Sequence, residues 1–143
     1  MKKLLLLFVL FVSFSIQAQE TKTEKILNLF DVNGKQAEYA MLFNAYASNK
    51  INKTEKVDEA LSKLADVYSK VLSEVQVEDM ITFYKSNTGK TLINNRAAMT
   101  ADQQKEYDDF IAGDAMQTYI ANKTEIATKE RAIRKNWIAS FKR

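Results

Sequence analysis

The chain contains no proline, and its three glycines, Gly34, Gly89 and Gly113, stand far apart. The residues that break helices are therefore missing over long stretches, and helices are the structure that this chain opposes least. Helix starts are marked as well. A Ser, Thr or Asn followed three residues later by Glu or Gln lets a side chain and the backbone cap each other. TKTE at Thr21, NGKQ at Asn33, NKTE at Asn52, TADQ at Thr100 and NKTE at Asn122 all have this form. The two N-K-T triplets also match a glycosylation acceptor, but capping is the simpler use.

Apolar spacing agrees with helices. Val57, Leu61, Leu64, Tyr68, Val71 and Val75 recur at alternating steps of four and three, which predicts one helix of about six turns after Asn52. Ala37, Ala40, Met41, Asn44, Ala45 and Ala47 predict a preceding helix with a small-residue side that a neighbour could approach closely. Shorter helices are expected over Val77–Ser86, Lys90–Met99, Ala101–Ala112 and Asp114–Ala121. A basic amphipathic helix over 123–143 follows, with Ile126, Ile133, Trp137 and Phe141 on one side. No segment alternates as a strand does. The expectation is an all-α fold, a small bundle of short and medium antiparallel helices.

A faint repeat supports helical hairpins within it. A shift of 27 residues places Phe83 on Phe110, Ser86 on Gly113, Thr91 on Thr118 and Ile93 on Ile120. Both copies read as an acidic helix start, a Phe, a small residue at a break and a second helix.

The opening MKKLLLLFVLFVSFSIQAQE has two lysines, an apolar run from Leu4 to Ile16 and a small residue at Ala18. This is the layout of a signal peptide over 1–18, and the run is short for a membrane span. It predicts a periplasmic or secreted single domain over 19–143, with a retained anchor as the alternative. Cysteine is absent, so neither disulfides nor thiolate metal sites are available.

The whole chain carries a net charge of +3, and loss of Lys2 and Lys3 leaves +1, too close to neutral to point to nucleic acid. The charge is unevenly placed. From Lys123 to Arg143 seven basic residues face two acidic ones, whereas Asp102 to Asp114 holds five acids and one lysine.

Histidine is absent too, which removes the commonest acid–base side chain and metal ligand. Carboxylate groups at Glu78 and Asp79, and at Glu106, Asp108 and Asp109, could in principle share acid and base roles, but they fall at or near helix starts, where the helix dipole already favours them. Asp108, Asp109 and Asp114 lack the alternating spacing of a calcium loop. No catalytic, metal or cofactor residue is assigned, and a non-enzyme is expected. The candidate interaction surface is Arg134, Lys135, Trp137 and Phe141, where a Trp-bearing basic helix could meet an acidic envelope protein or an anionic membrane surface. The alternative is that this apolar stripe closes the bundle. Self-association of the acidic middle with the basic tail of another copy is a further option.

The stretch FYKSNTGKTL, from Phe83 to Leu92, contains the end of a phosphate-binding loop. Such a loop needs a glycine five residues before Gly89, where Tyr84 stands, and a strand ahead of it, whereas Val77, Met80, Ile81 and Tyr84 step helically. Ser86, Gly89 and Gly113 are instead expected to be structural turns, with Gly89 the left-handed residue that ends a helix. The wider segment DMITFYKSNTGKTLI, from Asp79 to Ile93, resembles the signature of a bacterial envelope family, domain of unknown function 2059. Phe83, Tyr84, Ser86, Gly89, Lys90 and Leu92 match its Phe-Tyr-x-Ser-Pro-x-Gly-[Lys/Gln] break and the Leu-rich turn after it, with Asn87 in place of the usual proline. The likeness extends over about half of the mature chain. It implies a small periplasmic helical domain and no assigned activity.

Overall fold

A computed structural model describes residues 20–47 and 51–142; the signal peptide expected over 1–18 lies outside these residues. Seven α-helices follow one another: α1 (Lys22–Val32), α2 (Lys35–Tyr46), α3 (Lys53–Ser69), α4 (Glu74–Lys85), α5 (Asn87–Asn95), α6 (Ala101–Ala112) and α7 (Asp114–Ala139). Short 3₁₀ turns lie at Arg96–Ala98 and Ser140–Lys142, and no strand occurs among the described residues. The fold is the expected all-α bundle.

Helix α1 packs on α3 and α4, and α3 packs on α2 and α7, so α1 and α3 are central. Their apolar stripes meet through Ile26, Leu29, Phe30, Leu61, Leu64 and Tyr68, all nearly or wholly buried. The Phe30 and Tyr68 rings meet edge to face at 4.9 Å. Thr21, Asn52 and Thr100 cap α1, α3 and α6 as their sequences imply, with full capping boxes at Thr21 and Thr100.

Several expectations need correction. Helix α3 does not run on to Val75. It stops at Ser69, whose carbonyl accepts from Lys22 Nζ at 2.6 Å, and Leu72 turns into the core. Ser73 then starts α4 with a capping box to Gln76, leaving Val75 exposed. Asn122 starts nothing: α7 runs straight through it, and its side-chain amide donates to the Thr118 carbonyl one turn back. In α2 the small residues Ala37 and Ala45 face solvent with Met41, because Tyr39 and Phe43 supply the buried side.

The left-handed glycine is Gly34, with φ 85° between α1 and α2, rather than Gly89. Gly89 is buried inside the first turn of α5. A Cβ there would lie 2.2 Å from the Phe83 carbonyl oxygen and 2.6 Å from Tyr84 Cα, so close approach of backbone requires the glycine. The turn itself belongs to Ser86, which closes α4 and opens α5 as a single residue with φ −66° and ψ 166°, its hydroxyl accepting from Gly89 N at 3.0 Å. Gly113 joins α6 to α7 in the same way, with φ −70° and ψ 157°. The equivalence proposed from the 27-residue shift is thus visible in backbone geometry.

Candidate functional site

The basic helix α7 crosses the start of α2, and their charged side chains form a closed four-membered lattice. Lys35 Nζ meets Glu38 Oε2 at 2.9 Å and Glu130 Oε1 at 3.1 Å. Arg134 Nη2 meets Glu38 Oε1 at 2.7 Å and Glu130 Oε1 at 2.8 Å. Each cation therefore touches both carboxylates. The local halves follow from helical spacing, Lys35 with Glu38 three apart and Glu130 with Arg134 four apart.

Burial alone would lower the Lys35 pKa, but hydrogen bonds and charge from Glu38 and Glu130 outweigh it and hold the ammonium above its usual range. Burial would raise Glu38, yet Lys35 and Arg134 carry it below the ordinary carboxylate value. Tyr39, fully enclosed beside the lattice, has its phenol pushed up by burial and then by the Glu130 charge. Arg134 lies over its ring at 5.4 Å. The Tyr39 hydroxyl and Arg134 Nε have no hydrogen-bond partner among the described residues.

Two cavities flank the lattice and share Lys35. One, of about 210 Å³, is lined by Gly34, Glu38, Tyr68, Tyr84 and Tyr119 among others. Burial first, and neighbouring phenols next, push Tyr68 and Tyr84 up, the opposite of what an activated phenolate needs. The other cavity, of about 250 Å³, is lined by Lys35, Ala127, Glu130, Arg131 and Arg134. Lys35 and Arg134 are already paired with Glu38 and Glu130, so Arg131, with no ion pair among the described residues, is the cation there that can meet an anionic group.

The four residues assigned to an interaction surface separate in the structure. Trp137 is buried and donates from Nε1 to the Lys56 carbonyl at 2.7 Å, with its ring 5.3 Å from Tyr39 and 4.8 Å from Phe141. Phe141 is buried against Phe43. These two rings close the bundle instead of facing a partner, because the stripe that carries them is the one α7 turns inward. Arg134 belongs to the lattice, while Lys135 is exposed. Nothing in the sequence joins Lys35, Glu38 and Tyr39 to Glu130. Their short-range pairs were visible as helical spacings, but the pairing of α2 with α7 across about a hundred residues was not.

Turn residues and lattice together define a small helical bundle with a charged seam and no group of His, Cys, Asp or Glu arranged to hold a metal among the described residues. Residues 58–108 match the family described as uncharacterized protein conserved in bacteria (DUF2059), so the resemblance drawn from Asp79 to Ile93 holds over that span. The matched span covers most of α3, all of α4 and α5, and α6 as far as Asp108; the seam lies outside it. No curated protein and no solved structure matches the chain.

Proposed function

We propose that the chain is an exported, non-enzymatic helical module that docks an acidic protein partner on the α2–α7 seam. The observation that carries this reading is the cavity beside the lattice, where Lys35, Arg131 and Arg134 surround Glu130 and Arg131 is itself exposed. Lys135 extends the positive surface one turn of helix further on. A carboxylate entering there gains a charge-assisted hydrogen bond from Arg131, with Lys135 adding to the positive potential. Export is supported by the lysine-led apolar run at the start of the chain. A non-catalytic role is supported by the missing His and Cys and by tyrosines whose phenols are pushed up.

An anionic membrane surface is the second reading, favoured by the same cations. Burial of Trp137 and Phe141 keeps both rings from entering that surface, so the contact would rest on charge and be lost in salt.

The test places a photo-crosslinking residue at exposed Ala127, which lines the same cavity, and, as control, at exposed Lys63 in the protein made by living cells. Adducts from position 127 alone to a protein with an acidic surface, abolished by Arg131→Glu, are expected. Lipid adducts would favour the second reading, and identical patterns from both positions would end the proposal. Sequencing the N-terminus of the recovered protein checks export: it should begin near Gln19.

A further inference from the structure

The cavity of about 210 Å³ beside the lattice lies where α2 and the turn before it meet α3, α4 and α7. Met80 and Tyr84 stand four apart on α4, and Met116 and Tyr119 three apart on α7, so each helix brings a thioether and a phenol to the same side. Tyr68, near the end of α3, adds a third phenol, its ring 6.0 Å from that of Tyr119. Tyr68, Met80 and Met116 are buried, whereas Tyr84 and Tyr119 are half-buried.

The charges on its wall cancel. Lys35 and Glu38 both line the space, and the lattice gives each of them two partners of opposite sign. A carboxylate entering the cavity would meet Glu38 and an ammonium would meet Lys35, so neither sign is favoured. The remaining polar groups are uncharged. Asn33 accepts from Lys35 N at 3.0 Å through its side-chain oxygen, which leaves two amide hydrogens to give. Burial holds Tyr68 and Tyr84 in their O–H form, able both to donate and to accept. Each phenol carries that hydroxyl on an apolar ring, and the thioethers beside it are apolar too. Water in the space would serve the hydroxyls but leave rings and thioethers wet. A molecule with hydrocarbon faces and a rim of hydroxyls matches both kinds of wall.

We infer that this cavity binds one uncharged sugar ring, a pyranose, its C–H faces against the tyrosine rings and thioethers and its hydroxyls against the phenols and Asn33. The size agrees, because about 210 Å³ falls below the roughly 300–1,000 Å³ of sites for drug-sized ligands and suits a single small ring. A free monosaccharide and the end unit of a glycan present the same chemistry here. The site is distinct from the face at Arg131, which does not line it.

The test titrates the purified chain, its methionines labelled at the methyl carbon, with glucose, galactose and N-acetylglucosamine, and with choline and acetate as charged probes, and follows the methyl signals by NMR. Saturable shifts of Met80 and Met116 with at least one sugar are expected, while exposed Met41 on α2 stays still and choline and acetate move none of the three. Tyr119→Phe keeps the ring and removes the hydroxyl, and should weaken sugar binding about fivefold, the worth of one neutral hydrogen bond. Maltose beside glucose separates the two sources: equal binding places the ring at the end of a glycan and binding of glucose alone makes it a free sugar, and either outcome supports the inference. Met80 and Met116 signals that no sugar moves at any concentration up to about 0.1 M would overturn it. So would shifts that include Met41 equally, a stronger response to choline or acetate than to the sugars, or a Tyr119→Phe variant that binds as the native chain does. Should Tyr119→Phe lose its helical signal, the choice among probes by the native chain decides.

Discussion

In the bundle of α1, α3 and α7, Ile26, Leu29, Phe30, Leu64 and Ile126 are shut away from solvent, whereas the α5–α6 arm buries only Thr88 and Gly89, both on α5. The arm is held instead by caps, stacked rings and one close backbone approach. One region depends on filled volume and the other on the geometry of a few joints, so equal numbers of deleted atoms should not have equal effects in the two.

The sharpest contrast comes from the bundle. Leu64→Ala opens a cavity at a fully buried position and should cost about 2–5 kcal/mol in urea unfolding. In the arm, adding one carbon should do what removing three does in the bundle. Gly89→Ala drives a Cβ into the Phe83 carbonyl and should cost about 1–3 kcal/mol, and a neutral outcome would show that the joint yields. Gly34→Ala separates shape from conformation, because its Cβ would have room, with Ile93 Cγ2 3.8 Å away, and only the positive φ opposes it. A loss of about 1 kcal/mol is expected, less for Gly34→Asn. Thr100→Ala should cost the arm about 1 kcal/mol through its lost cap.

The smallest effect belongs to the seam. Glu38 has a folded pKa below its ordinary 4.5, so its stabilisation is present above that value and is lost as pH falls through the folded one. With its side chain 38% exposed, solvent screens the gain, and below about 1 kcal/mol should disappear in acid. Glu38→Gln should flatten that part of the urea midpoint's pH dependence while leaving the remainder.

The arm was more legible in the sequence than its sparse core suggests. Thr100 and Gln103 announce α6, whose limits are the expected ones, and the shift of 27 residues pairs Phe83 with Phe110, the two rings that stack. Short-range signals of this kind are written into a few neighbouring residues. The Ser73–Gln76 cap was equally local but was masked by an apolar rhythm that runs through Val71 to Val75, so two helices read as one. Asn122 shows the reverse error, a cap sequence inside a helix that tertiary packing carries through. For the seam, helical spacing marks only the local pairs Lys35–Glu38 and Glu130–Arg134; Lys35 and Glu130 become partners because Trp137 and Tyr39 bring α7 onto α2. Burial of Trp137 likewise depended on which side of α7 the bundle takes.

Ser86 and Gly113 each join two helices with no residue to spare, and this bears on how the chain tolerates changes in length. A helix turns about 100° per residue, so one residue inserted at either joint would rotate the following helix by more than a quarter turn. At Ser86 that would swing Thr88 and Gly89 out of the contact they fill; at Gly113 it would turn the inward stripe of α7 away from the bundle along its whole length of about 39 Å. The two joints therefore act as fixed gear teeth, setting the phase of every side chain downstream.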